Sequence, residues 1–172
     1  MGDETGVVEL DMRILGIDPG TGRTGWAVIE KDSGREQLVA AGCIETPTDA
    51  ELSERLVKIF RVLSDLVAKH KPDQAAVEDL FFSRNVKTAM SVAQARGVVL
   101  LAIRLAGIPV ASYTPPQIKS AVTGSGRADK ASVEKMVSVI LKIKESLEFD
   151  DTADAMAVAL THAATVRGGR TC

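Results

Sequence analysis

Ile14-Leu15-Gly16-Ile17-Asp18-Pro19-Gly20-Thr21-Gly22 is the stretch whose reading decides the fold. A short run without polar side chains, closed by turn residues, marks a strand buried inside a sheet. This run ends on a carboxylate. An unpaired carboxylate within such a strand costs roughly several kcal/mol in lost hydration. Asp18 therefore sits at the strand's open end or faces a cation. Alone, Asp-Pro-Gly also reads as an acid capping a turn. The pattern recurs, however. Glu78 closes a second apolar stretch, Ala75-Ala76-Val77, and Asp151 and Asp154 stand three apart near a helix start. Four carboxylates meeting at one point repel one another unless divalent metal holds them together.

Outward from Asp18, Gly-rich turns separate three strand-like runs, 13–18, 24–31 and 36–45, which read as an antiparallel meander. Leu52, Leu56, Ile59, Leu63 and Leu66 recur at helical spacing, so 51–69 is an amphipathic helix that Pro72 helps to end. Residues 74–78 form a fourth strand. A long helix over 85–106 is apolar on nearly all sides from Val98 to Leu105, the pattern of a helix buried on more than one face. In a small domain one such face often meets another subunit. Gly97 costs that helix about 1 kcal/mol against Ala, which suggests close packing there. A fifth strand spans 109–113, a short helix spans 115–122 with proline in its first turn, and 123–127 is a mobile loop. Helices over 129–143 and 151–166 finish an α/β fold, a mixed five-stranded sheet flanked by helices.

A chain of 172 residues suggests one domain. It divides into a disordered extension, 1–11, a folded domain, 12–166, and a flexible tail, 167–172. Cys43 and Cys172 are far apart, so neither a disulfide framework nor a metal-ligand spacing is present, and a cytoplasmic location is expected. The polar, acidic amino terminus is unlike a secretory signal. The aliphatic run from Val98 to Ile103 is too short to span a bilayer and Arg104 closes it, so no membrane is expected. Net charge is −2, yet Arg84 to Lys144 holds ten Lys or Arg against two acids, +8, which leaves −10 elsewhere. A basic half beside an acidic cluster suits a polyanionic substrate. The plainer alternative is a set of solvated helix faces.

In a mixed sheet, the strands that carry Asp18 and Glu78 can be neighbours, and ligands gather at carboxyl ends of strands. Asp151 and Asp154 share a helix face that closes the site from one side. The product is a two-metal carboxylate site, with ions roughly 3.5–4 Å apart. One ion would activate water and the other would stabilise the leaving oxygen of a phosphodiester.

Leu15-Gly16-Ile17-Asp18-Pro19-Gly20, Val77-Glu78-Asp79-Leu80-Phe81, Ala93-Gln94-Ala95-Arg96-Gly97 and Asp151-Thr152-Ala153-Asp154-Ala155 together resemble the RuvC family of Holliday-junction resolvases. The likeness runs from about Met12 to Thr165, and the order and spacing of the four motifs make it specific. It implies a ribonuclease H-like fold, a homodimer, and an endonuclease that uses two Mg2+ or Mn2+ ions per site. Such enzymes nick strands of like polarity in pairs across a four-way DNA junction, in recombination and repair. They work beside a branch-migration complex of RuvA and RuvB proteins. By motif, Asp18, Glu78, Asp151 and Asp154 are the catalytic, metal-binding acids. Some relatives carry His at the third, and Asp150 competes for that role here. Lys119 and Lys130 match basic positions near the scissile phosphate, Phe81 matches an aromatic that contacts junction bases, and Arg127 joins them as a DNA contact. The amino-terminal extension and the short tail depart from the pattern.

Each supporting residue also has a plain reading. Asp129 precedes a helix as its N-cap. Lys130, in the first turn, opposes the helix dipole, which favours a phosphate contact. Lys119 alone is a solvated lysine. Of Phe81 and Phe82, one is core and the other is the stacking candidate. His70 and His162 read as a surface and a core residue, and Trp26 as core. Three rival functions remain open: a ribonuclease H-like nuclease acting on RNA, an actin-like ATP-binding phosphotransferase, and a junction-binding module without catalysis. The phosphotransferase fits the Asp-Pro-Gly-Thr-Gly turn, but those proteins normally duplicate a domain that this length holds once.

Overall fold

The computed structural model describes residues 11–32, 34–80, 86–143 and 150–166. Most of the expected extension and the whole expected tail lie outside them, as does Phe81. Five strands form one sheet: β1 (Met12–Asp18), β2 (Arg23–Asp32), β3 (Arg35–Glu45), β4 (Gln74–Glu78) and β5 (Val110–Tyr113). Their order is β3-β2-β1-β4-β5. The first three pair antiparallel as the expected meander, while β4 and β5 add parallel on the other side of β1. The helices are α1 (Leu52–His70), α2 (Val86–Leu105), α3 (Pro115–Thr123), α4 (Lys130–Ile140) and α5 (Asp150–Thr165). α4 stops three residues short of the expected 143, because the chain turns left-handed at Lys142 (φ 54°).

The period of two along each strand sorts the core into two layers. Ile14 on β1 and Ala76 on β4 pack with α3, α4 and α5. Leu15, Ile17, Ala75 and Val77 pack with α1 and α2 on the other face. Asp18 continues the Ile14 and Gly16 side, and Glu78 continues the Ala76 side, so both acids leave the sheet on the α5 face. Ile17 pairs with Val77, which puts Asp18 and Glu78 level at the carboxyl ends of neighbouring parallel strands.

α5 lies directly on the sheet. Eleven of its residues are buried, Thr152, Ala153 and Ala155 to Ala163. A Cβ added at Gly16 would strike the Ala155 carbonyl and come within 2.6 Å of Ala159 N. One added at Gly25 would strike the Asp151 carbonyl. No flexible side chain stands in the way to yield, so the helix itself would have to move.

α2 bears on three expectations. Val99 and Ile103 are wholly buried in the core with α1, and so are unavailable to a partner. The exposed stripe is Met90 (61%), Leu101 (53%) and Leu105 (69%). Among the described residues Gly97 makes no close contact, since an added Cβ there meets nothing within 4 Å. Finally, Thr88–Leu105 is long and apolar enough to cross a bilayer by length and composition alone, with mean hydropathy 1.3. Its buried side is nonetheless built into the core against α1. His70 is half-buried rather than a surface residue, its ring 5.8 Å from that of the partly buried Trp26.

Gly16→Ala tests the seating of α5. Overpacking of this kind costs about 1–3 kcal/mol, and here the clash is with helix backbone. Urea melts should show a loss at the upper end of that range. An unchanged midpoint would mean that α5 does not rest on β1 as described.

Candidate active site

A side-chain hydrogen bond between the level pair raises Asp18 and lowers Glu78. Burial pushes the Asp18 carboxyl up to about 9, helped by that bond and by the charges of Glu78, Asp154 and Asp151. Burial also raises Glu78, and the charge of Asp154 adds to it, while Lys130 and Lys119 work the other way.

α5 brings the other acids over these strand ends. Asp154 is half-buried, and burial raises its carboxyl although the Lys130 ammonium opposes this. Lys130 Nζ lies 3.3 Å from Asp154 Oδ2 and 3.4 Å from Asp150 Oδ2, so it bridges two acids one helical turn apart. Burial works against this ammonium, but the two acids prevail and hold its pKa above the usual lysine value. Lys130 opens α4, where Asp129 caps the helix by accepting from Ser132 N at 2.8 Å, as expected. Asp151 Oδ2 lies 3.0 Å from Arg23 Nε without the alignment of a hydrogen bond, and that oxygen is buried with no hydrogen-bond partner among the described residues.

A cavity of about 210 Å³ opens beside the cluster, lined by Glu78, Asp154, Lys119 and Lys130 and floored by Ile118 and Val133. The structure thus gathers Asp18, Glu78, Asp151, Asp154, Lys119 and Lys130 at one end of the sheet. Arg127 is exposed in the loop between α3 and α4 and does not line the cavity. Asp150 turns outward to Lys130 and is largely exposed.

The donor set fits hard divalent cations, which take carboxylate oxygens. The buried Asp151 oxygen without a hydrogen-bond partner is a group that a cation would satisfy. Among the described residues, no group of three His, Cys, Asp or Glu side chains is arranged to hold a metal as it stands. Asp154 is turned to Lys130 and Asp18 to Glu78, so side-chain rotation would have to precede loading.

A family model described as crossover junction endodeoxyribonuclease RuvC matches residues 14–162. The chain belongs to the RuvC family. A family member from Syntrophomonas wolfei, a crossover junction endodeoxyribonuclease RuvC, is 48% identical over 151 residues, 88% of each chain. One from Chloroflexus aggregans is 48% identical over 154 residues, covering 90% of this chain and 94% of its own. The structure of T. thermophilus RuvC in complex with a Holliday junction substrate superposes with a TM-score of 0.84 at 37% identity, over 90% of this chain and 94% of that one. The fold is accordingly the expected ribonuclease H-like mixed sheet.

Two residues of this RuvC-family site escaped the sequence reading. Arg23, the first residue of β2, pairs with Asp151. Arg96 on α2 donates to the Glu78 carbonyl. For Arg23 the only signal was its place just after the Gly-rich turn. For Arg96 it was membership in a motif with no role attached.

The raised Asp18 carboxyl sets a pH dependence. Asp18 in the fold holds its proton up to about 9, against 3.8 for an ordinary aspartate. Between those values the folded chain binds more protons than the unfolded one, so stability falls as pH rises. In chelator, the melting temperature should decline across that window, and Asp18→Asn should flatten the decline and melt higher than wild type at pH 8. A wild-type profile flat from pH 5 to 9 would refute the raised Asp18 carboxyl.

Proposed function

We propose that this chain is a structure-selective endonuclease that resolves four-way DNA junctions by paired, symmetric nicks in recombination and repair. The observation that carries the reading is the level pair Asp18 and Glu78 beneath the acids of α5, at one end of the sheet, in a chain 37% identical to a protein solved with a Holliday junction. Asp18, Glu78, Asp151 and Asp154 are the metal-binding acids, for two Mg2+ or Mn2+ ions. When bound, such ions activate water and stabilise the leaving oxygen. Lys119 and Lys130 line the same cavity and are placed to donate to phosphate oxygens. Asp150 steadies Lys130 from outside, so its role differs from that of Asp151. Arg127 and Phe81 contact the junction. The enzyme works in the cytoplasm with a RuvA and RuvB branch-migration complex.

The test is cleavage of a synthetic four-way junction with Mg2+, Mn2+ or chelator, beside linear duplex DNA and an RNA duplex. Junction-selective, metal-dependent nicking is expected. Metal should also raise thermal stability, by about 2.7 kcal/mol at a hundred times its Kd. Asp154→Asn removes negative charge facing DNA, so it should bind the junction at least as well as wild type while cutting at least about a hundredfold more slowly. Binding should weaken steeply with salt, as phosphate contacts require. Equal cleavage of all substrates would refute junction resolution.

One cluster per chain supplies one cut, and resolution needs two, so we take the working form to be a symmetric dimer. The stripe Met90, Leu101 and Leu105 is the contact, with Gly97 letting the partner approach. Leu101→Glu or Leu105→Glu should leave folding stability within about 0.5 kcal/mol, being exposed, yet sediment as monomer and nick without coordination. Val99→Glu, by contrast, should cost roughly several kcal/mol by burying a charge. A Leu101→Glu protein that remains dimeric would move the interface elsewhere.

A further inference from the structure

Arg96 is bound to the strand end that carries Glu78, from the side opposite the acids. It stands on α2, beneath the face where Leu15, Ile17 and Val77 pack, whereas the Glu78 carboxyl leaves the sheet toward α5. Its side chain is only 18% exposed. Nε donates to the Glu78 carbonyl (3.2 Å), and an Nη donates to Ser112 Oγ on β5 (2.7 Å) and pairs with Asp79 Oδ1 (3.1 Å). Asp79 Oδ1 also accepts from Leu80 N (2.9 Å), and Asp79 N donates to the Tyr113 carbonyl (2.8 Å). The last strand position of β4, its neighbour β5 and the turn that follows thus meet on one planar guanidinium, a geometry that lysine cannot reproduce. One turn earlier on α2, Ser91 Oγ lies 3.4 Å from Thr21 Oγ1 in the turn after Asp18.

We propose that Arg96 is a positioning residue that fixes the Glu78 carboxylate for metal binding by pinning its backbone, without touching metal or DNA. The inference rests on the reading of Glu78 as a metal-binding acid. A strand end is where a ladder frays, and Glu78 is pulled toward Asp18 on one side while Asp154 repels it. Without the guanidinium, the peptide after Val77 can rotate, and the carboxylate swings with it. Supporting groups behind metal ligands typically change metal affinity about 10–100-fold when lost.

The experiment is calorimetric titration of Mn2+ into the DNA-free protein, beside a cleavage series in Mg2+. Arg96→Met should weaken Mn2+ at least about tenfold and shift the Mg2+ dependence to higher concentration. Junction binding in chelator should stay within about twofold. Arg96→Lys should restore part of the affinity, because it can keep one of the three contacts. Ser112→Ala, the mildest change, should weaken Mn2+ by a small factor, and it keeps the test alive if Arg96→Met does not fold. Val99→Ala weakens the packing of α2 without reaching the strand end, and it should leave Mn2+ affinity near wild type. Wild-type Mn2+ affinity in Arg96→Met, or an equal loss in Val99→Ala, overturns the inference. A wild type that binds no Mn2+ overturns the metal-binding reading itself, which separates the two failures.

Discussion

The direct contact of α5 with the backbone of β1 and β2 is the constraint on which the site depends. Two strand positions without side chains, Gly16 and Gly25, admit the helix, and the helix meets them with its own small residues, Ala155 and Ala159 among them. Small residues on both surfaces shorten the helix-to-sheet distance and leave little freedom to slide, because backbone cannot repack as a side chain can. The first turn of α5 therefore arrives over the carboxyl ends of β1 and β4. The acids there gain some stabilisation from the helix amino terminus. A bulkier contact would lift the helix and carry Asp151 and Asp154 away from Asp18.

The same seating concentrates negative charge where water is scarce. The protein manages this by three means visible in the geometry. Asp18 and Glu78 are joined by a side-chain hydrogen bond. Lys130 spans Asp150 and Asp154. Arg23 stands against Asp151. Each device offsets acidic charge without a hydrophobic substitute. The residual tension costs folding stability, and such tension is common at sites built to bind charge.

Much of this was legible in the sequence, for a physical reason. Strand period fixes which face each residue takes, so two acids that each end a short apolar run at the close of a strand fall on predictable sides. The turn residues after Asp18 and the capping Asp129 marked boundaries to within a residue or two. The exposed side of α2 was not legible, because a helix that is apolar all round has no preferred side in its own pattern. Val99 and Ile103 look like Leu101 and Leu105 until α1 and the sheet claim one side. Pairings of long cations were also hidden. Arg23, Arg96 and Lys130 reach across 128, 18 and 24 positions of sequence to partners whose place is set only by the completed sheet.

α2 joins what would otherwise be separate parts. One side of it completes the core with Ala95, Val99 and Ile103. A second carries Arg96 to the strand end beneath Glu78. A third is the exposed apolar stripe. One helix thus serves core, strand end and surface, each through a different side chain. The β4 end has few other anchors, since it is the last rung of a five-residue strand. The precision of the acidic cluster is therefore set from both faces of the sheet: α5 delivers two acids from above, and α2 holds the peptide of a third from below.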